Sequence, residues 1–270
     1  MAAEDKKSID RKNRGQVPPE EIEACLEFKT ERLIEMLNST DPQERTIAAA
    51  VLGNKRDKKS IIPLCAALEK EKALYSRIAM SEALGKMEDD AVPPLIELLG
   101  KIGNNQEMEL PKKYFNKKSF PLARDMAART IIQIGTPATP YLIKVVEEQD
   151  DYTIQQAIDT LGGIAAKTGD MRALPVLING LKSYSYNKIT LWKIIRSLSG
   201  FKHSSEALLP LLNILESDPC AAITWETART LGQIGINRPN IMDALSKLEK
   251  HQHPEIKKAA QNAIINLENV

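Results

Sequence analysis

Ala228-Arg229-Thr230-Leu231-Gly232-Gln233-Ile234-Gly235 repeats, with two changes, a stretch that lies one hundred residues earlier, Ala128-Arg129-Thr130-Ile131-Ile132-Gln133-Ile134-Gly135. Shorter copies of the phrase are Ala50-Val51-Leu52-Gly53, Ala83-Leu84-Gly85, Thr160-Leu161-Gly162, Ser197-Leu198-Ser199 and Ala263-Ile264-Ile265. Anchored on residues 53, 85, 132, 162, 199, 232 and 265, the steps are 32, 47, 30, 37, 33 and 33 residues. A near-fixed period of that size marks a repeat array and decides the fold class before any single residue does.

A second landmark keeps the same pace. Pro63, Pro94, Pro140, Pro175 and Pro210 fall inside the apolar runs IIPLCAAL, VPPLIELL, TPYLIKVV, LPVLINGL and LLPLLNIL, each with helical spacing of Leu and Ile. Proline is tolerated in the first helical turn, where its missing N–H would have no partner. Each period therefore predicts an A helix that starts near its proline and a B helix that ends near the glycine. Repeated helix pairs of this kind bury their apolar faces against their neighbours and form an α-solenoid.

The 270 residues are expected to form one domain, because repeats with near-neighbour contacts are not limited by the size of a single core. Thirty-seven basic against thirty-six acidic residues leave a net charge of +1. No whole-molecule field then recruits nucleic acid or an anionic membrane. No apolar stretch reaches the roughly 20 residues needed to span a bilayer, and MAAEDKKSIDRKNRGQ is charged where a secretion signal is apolar. The expectation is a soluble, cytoplasmic protein, with a monomer as the default. Cys25, Cys65 and Cys220 are odd in number and far apart, so neither a disulfide frame nor a metal site is expected.

Residues 1–17 read as a disordered, charged tail and residues 18–270 as the solenoid. PPEEIEACLEFKTERLIEML lacks a breaker and predicts one long first helix, with Ile22, Leu26, Leu33 and Leu37 on one face. Asp41-Pro42-Gln43-Glu44 has the residues of a capping box, and Ser217-Asp218-Pro219 and His253-Pro254-Glu255 stand in the equivalent place later. The out-of-period step is an insertion over about residues 100–122. Its tip, Lys112-Lys113-Tyr114-Phe115-Asn116-Lys117-Lys118-Ser119-Phe120, interleaves lysines with aromatics. Loops of this type contact partners, and Lys112, Lys113, Tyr114, Phe115, Lys117 and Lys118 are its candidate contact residues.

Asp41-Pro42-Gln43-Glu44-Arg45-Thr46-Ile47-Ala48-Ala49-Ala50-Val51-Leu52-Gly53 resembles the HEAT-like repeat of the phycobilisome-lyase type, Asp-Pro-x-Val-Arg-x-x-Ala-Ala-x-Ala-Leu-Gly. The resemblance covers about residues 20–268. It implies an all-α, right-handed solenoid of about seven helix pairs. It also implies that the arginine matched by Arg45, Arg77, Arg124 and, as lysine, Lys257 ties adjacent repeats through acidic partners. Ile154, Leu191 and Thr224 stand in that place in three repeats.

Relatives of this architecture are mostly scaffolds, and the enzymes among them make demands that can be checked. Di-iron hydroxylases need His-Glu dipeptides, and this chain has three histidines and no His-Glu. Base-excising glycosylases need a basic inner face, and the near-neutral charge argues against one. No bilin-handling residue can be mapped. No phosphate-binding Gly-rich loop, Cys-x-x-Cys or Gly-x-Ser-x-Gly elbow occurs. No catalytic residue, metal or cofactor is therefore expected.

With the arginine slot of each B helix as zero, slots +1, +2, +5 and +9 face the inner wall of such a solenoid. Trp192 and Trp225 both occupy +1, each with an arginine one turn later, Arg196 and Arg229. Tryptophan and arginine dominate binding hot spots. Partly exposed Trp192, Arg196, Trp225 and Arg229, joined by Arg129, Lys193 and Glu226, are the expected partner contacts. The function expected is a non-enzymatic scaffold for a protein or peptide. The alternatives are a nucleic-acid binder or base-processing enzyme, and a tetrapyrrole lyase-like chaperone.

Overall fold

The computed structural model describes residues 2–102, 107–118, 125–148, 151–217 and 220–269. Among the described residues the regular structure is helical, with no strand. In chain order the helices begin with α1 (Ala2–Asn13), α2 (Pro19–Glu23), α3 (Thr30–Met36), α4 (Pro42–Lys55), α5 (Ile61–Lys70) and α6 (Leu74–Gly85). Next come α7 (Val92–Ile96), the one-turn α8 (Phe115–Lys118), α9 (Met126–Ile134), α10 (Thr139–Glu148) and α11 (Asp151–Thr168). Then follow α12 (Leu174–Ser183), α13 (Lys188–Leu198), α14 (Leu208–Glu216), α15 (Ala221–Ile234), α16 (Pro239–Leu248) and α17 (Pro254–Glu268). Seven A/B pairs result: α3/α4, α5/α6, α7/α9, α10/α11, α12/α13, α14/α15 and α16/α17. The five A-helix prolines lie within the first three residues of α5, α7, α10, α12 and α14, as the missing N–H demands.

The chain divides into two compact units, Met1–Gly103 with Asp125–Ala138, and Asn104–Arg124 with Thr139–Val270. Period alone predicts one uninterrupted domain. The division comes where the insertion breaks the period, and the insertion groups with the second unit.

Within each unit successive B helices pack on one another, α4 on α6 and α6 on α9 in the first, α11 on α13, α13 on α15 and α15 on α17 in the second. The recurring phrase explains how. A Cβ added at Gly53 would lie 2.7 Å from the Ala83 Cα, and one at Gly232 would lie 2.6 Å from the Ala263 Cα. Ala83 and Ala263 each open the next copy of the phrase. The glycine of one repeat thus receives the small residue of the following one, and the phrase's leucines, Leu52, Leu84, Leu161, Leu198 and Leu231, are buried beneath the contact.

Arg45 forms the inter-repeat tie that the resemblance implies. Its Nε and Nη2 donate to Glu71 at 2.7 and 3.0 Å, and Nη1 donates to the Ser39 and Thr40 carbonyls at 2.7 and 3.1 Å. Burial pushes the Glu71 carboxyl up, but Arg45 and the N–H groups of Ala73 and Lys72 outweigh it and hold the pKa below its usual value. Arg77 instead donates to the Glu71 carbonyl at 2.5 Å. Arg124, Asp218, Pro219, Ser119 and Phe120 lie outside the described residues.

Two N-terminal expectations are corrected. Most of residues 1–17 are not a loose tail but form α1 and a clamped exit. The Arg14 carbonyl accepts the Tyr75 N–H at 2.9 Å, and the Gln16 carbonyl accepts the Gln43 side-chain amide at 2.8 Å. Gly15, with φ 86°, passes so close to Thr46 and Ser76 that only a residue without a side chain fits. The single long first helix is two, α2 and α3, because Lys29 is extended. The Arg32 guanidinium caps the Phe28 ring at 3.8 Å across the break, and the Thr30 hydroxyl donates to Asp57 at 2.9 Å.

Candidate functional site

Four B helices of the second unit, α11, α13, α15 and α17, carry the site, and α13 and α17 start on side-chain caps. Asn187 caps α13 by accepting the N–H groups of Ile189 and Thr190, both at 3.2 Å. The His253 Nδ1 accepts the Glu255 N–H at 3.3 Å and caps α17. On α13 and α15, residues four apart face the same way, so each tryptophan meets its own arginine. The Arg196 guanidinium sits 4.6 Å from the Trp192 ring centre and that of Arg229 sits 5.9 Å from Trp225.

The pairing holds, but the exposure expected of it does not. Trp192 is 1 % exposed and Trp225 5 %, with Lys193 and Glu226 fully buried. For Lys193, Arg196 and Trp225 the insertion supplies the covering groups. Residues 107–118 lie against α13, α15 and α17, and bring two side chains to the wall.

Glu107 is the first. Lys193 Nζ lies 2.9 Å from Asp159 and 3.3 Å from Glu107. The Arg196 guanidinium reaches the same two carboxylates at 2.7 and 3.5 Å, and Arg229 pairs with Glu226 at 2.6 Å. Burial alone would raise the Asp159 carboxyl, but Arg196 and Lys193 overcome it and hold the pKa below the ordinary carboxylate value. The same carboxylates, with Glu226, hold Arg196 charged against its own burial.

Phe115 is the second. Its ring, fully enclosed, lies 6.0 Å from Trp225 and 5.1 Å from His253 between ring centres. Glu255, the residue predicted only as part of a cap, accepts the backbone N–H groups of Tyr114 and Phe115, both at 2.7 Å. Phe115 is therefore an inward anchor rather than an outward contact residue. Lys112, Lys113 and Lys117 remain exposed, and the Lys113 and Lys117 ammonium groups stand 5.2 and 5.6 Å from the exposed Tyr114 ring. The Lys118 side chain is outside the described residues. Arg129 belongs to the first unit, exposed on α9.

Part of the wall stays open. A cavity of about 540 Å³ lies by the C-terminal ends of the B helices, lined by Arg196, Arg229, Lys202, His203, Gln233 and Asn266 among others. A smaller one, about 200 Å³, runs between Asn116 of the insertion, Trp225 and Asn262. Glu107 carries no motif in the sequence, Asp159 reads only as a wall slot, and His253 and Glu255 read only as a helix start. The signal available for the first two was charge balance, since Lys193 and Arg196 at wall slots require carboxylates once buried.

Among the described residues no three His, Cys, Asp or Glu side chains gather where they could hold a metal ion. Cys65 is buried, which pushes its thiol up to about 12. Among them also, no helix is long and apolar enough to cross a membrane.

Residues 30–105 match the family model of HEAT repeats. No curated protein matches the chain. Among solved structures it is similar to a designed armadillo repeat protein in complex with the peptide (KR)4, at 17 % identity and TM-score 0.43, covering 88 % of this chain and 99 % of that one. An engineered protein is similar at 19 % identity and TM-score 0.44, over 96 % and 73 %. The complex of CpcE and CpcF of phycocyanin lyase from Nostoc sp. PCC7120 is similar at 20 % identity and TM-score 0.35, over 89 % and 95 %. HEAT repeats are matched over residues 30–105, and the A/B helix pairing seen there continues through α17.

Proposed function

We propose that this chain is a non-catalytic scaffold that holds a protein or peptide partner on the inner wall made by its B helices. One observation carries the reading: the wall of the second unit already binds a polypeptide segment, residues 107–118. It does so with a charge socket, an aromatic slot and a carboxylate for main-chain N–H groups. Those are the three kinds of contact with which a surface recognises peptide, and none of them performs chemistry on what it holds.

The charges argue for peptide over nucleic acid. Lys193, Arg196 and Arg229 are matched by Asp159, Glu226 and Glu107, so these three cations are already paired and not held open for a phosphate backbone.

Panning a random peptide library on the full chain tests this reading. Enriched peptides should be blocked by Asn262→Trp or Asn266→Trp, which fill the open part of the wall, and unaffected by Leu209→Ser on the exposed face of α14. A library that enriches nothing, or peptides that respond only to the α14 change, would overturn it.

A further inference from the structure

We infer that residues 107–118 are a resident stand-in for the partner, and that the partner is a peptide segment bearing a carboxylate and an aromatic side chain, which takes their place on the second unit. This deepens the scaffold reading and rests on it.

The socket defines the first requirement. With Glu107 seated, three cations, Lys193, Arg196 and Arg229, face three carboxylates, Asp159, Glu226 and Glu107. Without it the count is three against two. Lys193 is fully buried and Arg196 nearly so, and an uncompensated charge at such a site is strongly disfavoured. Anything that displaces the segment must therefore bring a negative charge to the same place. A neutral or basic peptide leaves the socket unbalanced.

The slot defines the second. Trp225 and His253 enclose one flat ring, and Glu255 takes two successive main-chain N–H groups beside it. An aromatic residue flanked by unblocked amides fits, and proline at that place does not.

The segment is also held in a manner that permits exchange. Between the two anchors Met108 is exposed, and Tyr114 beside the second anchor projects outward. Tyr114 has φ 58°, a left-handed conformation that a residue with a side chain adopts at a cost, and the two hydrogen bonds to Glu255 hold it there. Release relieves that strain. The exposed Lys112, Lys113 and Lys117 lie on the same segment, so an acidic partner is attracted to the element it replaces. Because the resident segment is tethered, it competes at a high effective concentration, so the wild-type wall takes a loose peptide more weakly than a wall whose segment is released, while still binding it.

The test uses the full chain carrying Glu107→Gln with Phe115→Ala, beside Glu107→Gln alone. The probe is a fluorescein-labelled synthetic peptide of residues 105–118, and a control peptide carries the same two changes. Trp225, one of the chain's two tryptophans, lies against the Phe115 ring of the segment, so a change in tryptophan emission reports seating. In the double variant emission should move to longer wavelength with helical circular dichroism retained. The peptide should bind it at least about tenfold tighter than wild type, and the control peptide about tenfold weaker than the probe, each step a factor that one charged or aromatic anchor supplies. Unmoved emission with no gain in binding overturns the inference, as does loss of cooperative unfolding in both variants. Equal binding of probe and control overturns the assigned chemistry. If library peptides without an acid and an aromatic bind the double variant while the probe does not, the scaffold reading stands and this one falls. If no peptide binds either chain, both fall.

Discussion

The inner walls of the two units use the same slots of the same repeated phrase, yet one faces solvent and the other is covered. In the first unit Asn54, Glu82, Lys86, Arg129 and Gln133 are exposed, and Ile78 is 37 % exposed. In the second, Gln155, Gln156, Trp192, Lys193, Arg196, Trp225 and Glu226 are buried. At the start of the first unit Arg14–Gln16 lie on α4 and α6, and Asp125 at the start of α9 is buried. The repeat thus dictates which way a residue points, and a segment remote in sequence dictates whether that residue meets water. The residue types follow the cover: large aromatics and buried paired charges where it lies, solvated polar side chains where it does not.

The largest effect should come from breaking the covered charge cluster. Asp159→Ala leaves Lys193 and Arg196, both buried, with Glu107 alone, and should cost about 3–5 kcal/mol in urea-induced unfolding. A loss under about 1 kcal/mol would mean that the cluster is solvated and that the two walls differ less than their burial implies.

Next comes a feature the walls share. Gly53→Ala in the first unit and Gly232→Ala in the second each force a methyl against the backbone of the next B helix, at 2.7 and 2.6 Å. Each should destabilise by about 1–3 kcal/mol, and by similar amounts. Similar losses would show helix spacing to be independent of cover, whereas a loss at Gly232 alone would tie it to the insertion.

Acid titration separates two buried aspartates, one per unit. Burial raises the Asp125 carboxyl above 3.8 despite the N–H groups of Ala128 and Gly100 that it accepts. Burial acts on Asp159 too, but Arg196 and Lys193 bring it below 3.8. A depressed folded pKa adds stability that is complete above the unfolded value and lost as pH falls through the folded one; a raised folded pKa has the opposite sign. In urea midpoints from about pH 3 to pH 7, the deficit of Asp159→Ala should therefore shrink only below 3.8. Asp125→Asn should gain stability at neutral pH and lose that gain as pH falls through the raised value. A deficit for Asp159→Ala that is flat across the range would break the assignment.

The fold was legible because period and proline placement are local signals. Gly53, Gly232 and the leucines beside them report helix contacts one repeat away, and Pro140 or Pro175 reports a helix start within three residues. The facing of Trp192 over Arg196 was legible for the same reason. The pairing of buried Lys193 was not, because one of its carboxylates, Glu107, is 86 residues away and sits in the segment that breaks the period. Phe115 misled in the opposite direction: among lysines it reads as an exposed contact, and its partner Glu255 reads as part of a helix cap. Helix α1 and the break before α3 were missed because Gly15 against Ser76 and Thr30 against Asp57 are long-range contacts that no local propensity encodes.

The smallest effects should be found on the open wall, where the comparison is sharpest. Glu82 stands in the slot that Asp159 fills in the second unit, five residues past the arginine slot, and it is exposed. Lys86 reaches Asn54 of the preceding B helix at 2.8 Å in full contact with solvent. A hydrogen bond that water can replace adds little to folding, and an exposed carboxylate needs no buried partner. Glu82→Ala and Lys86→Ala should each change the unfolding free energy by no more than about 0.5 kcal/mol. Against the loss at Asp159, the same slot would then differ several-fold in cost between the units, with cover as the cause. Should Glu82→Ala destabilise as much as Asp159→Ala, the first unit's wall would be covered as well, and the distinction between the two would fail.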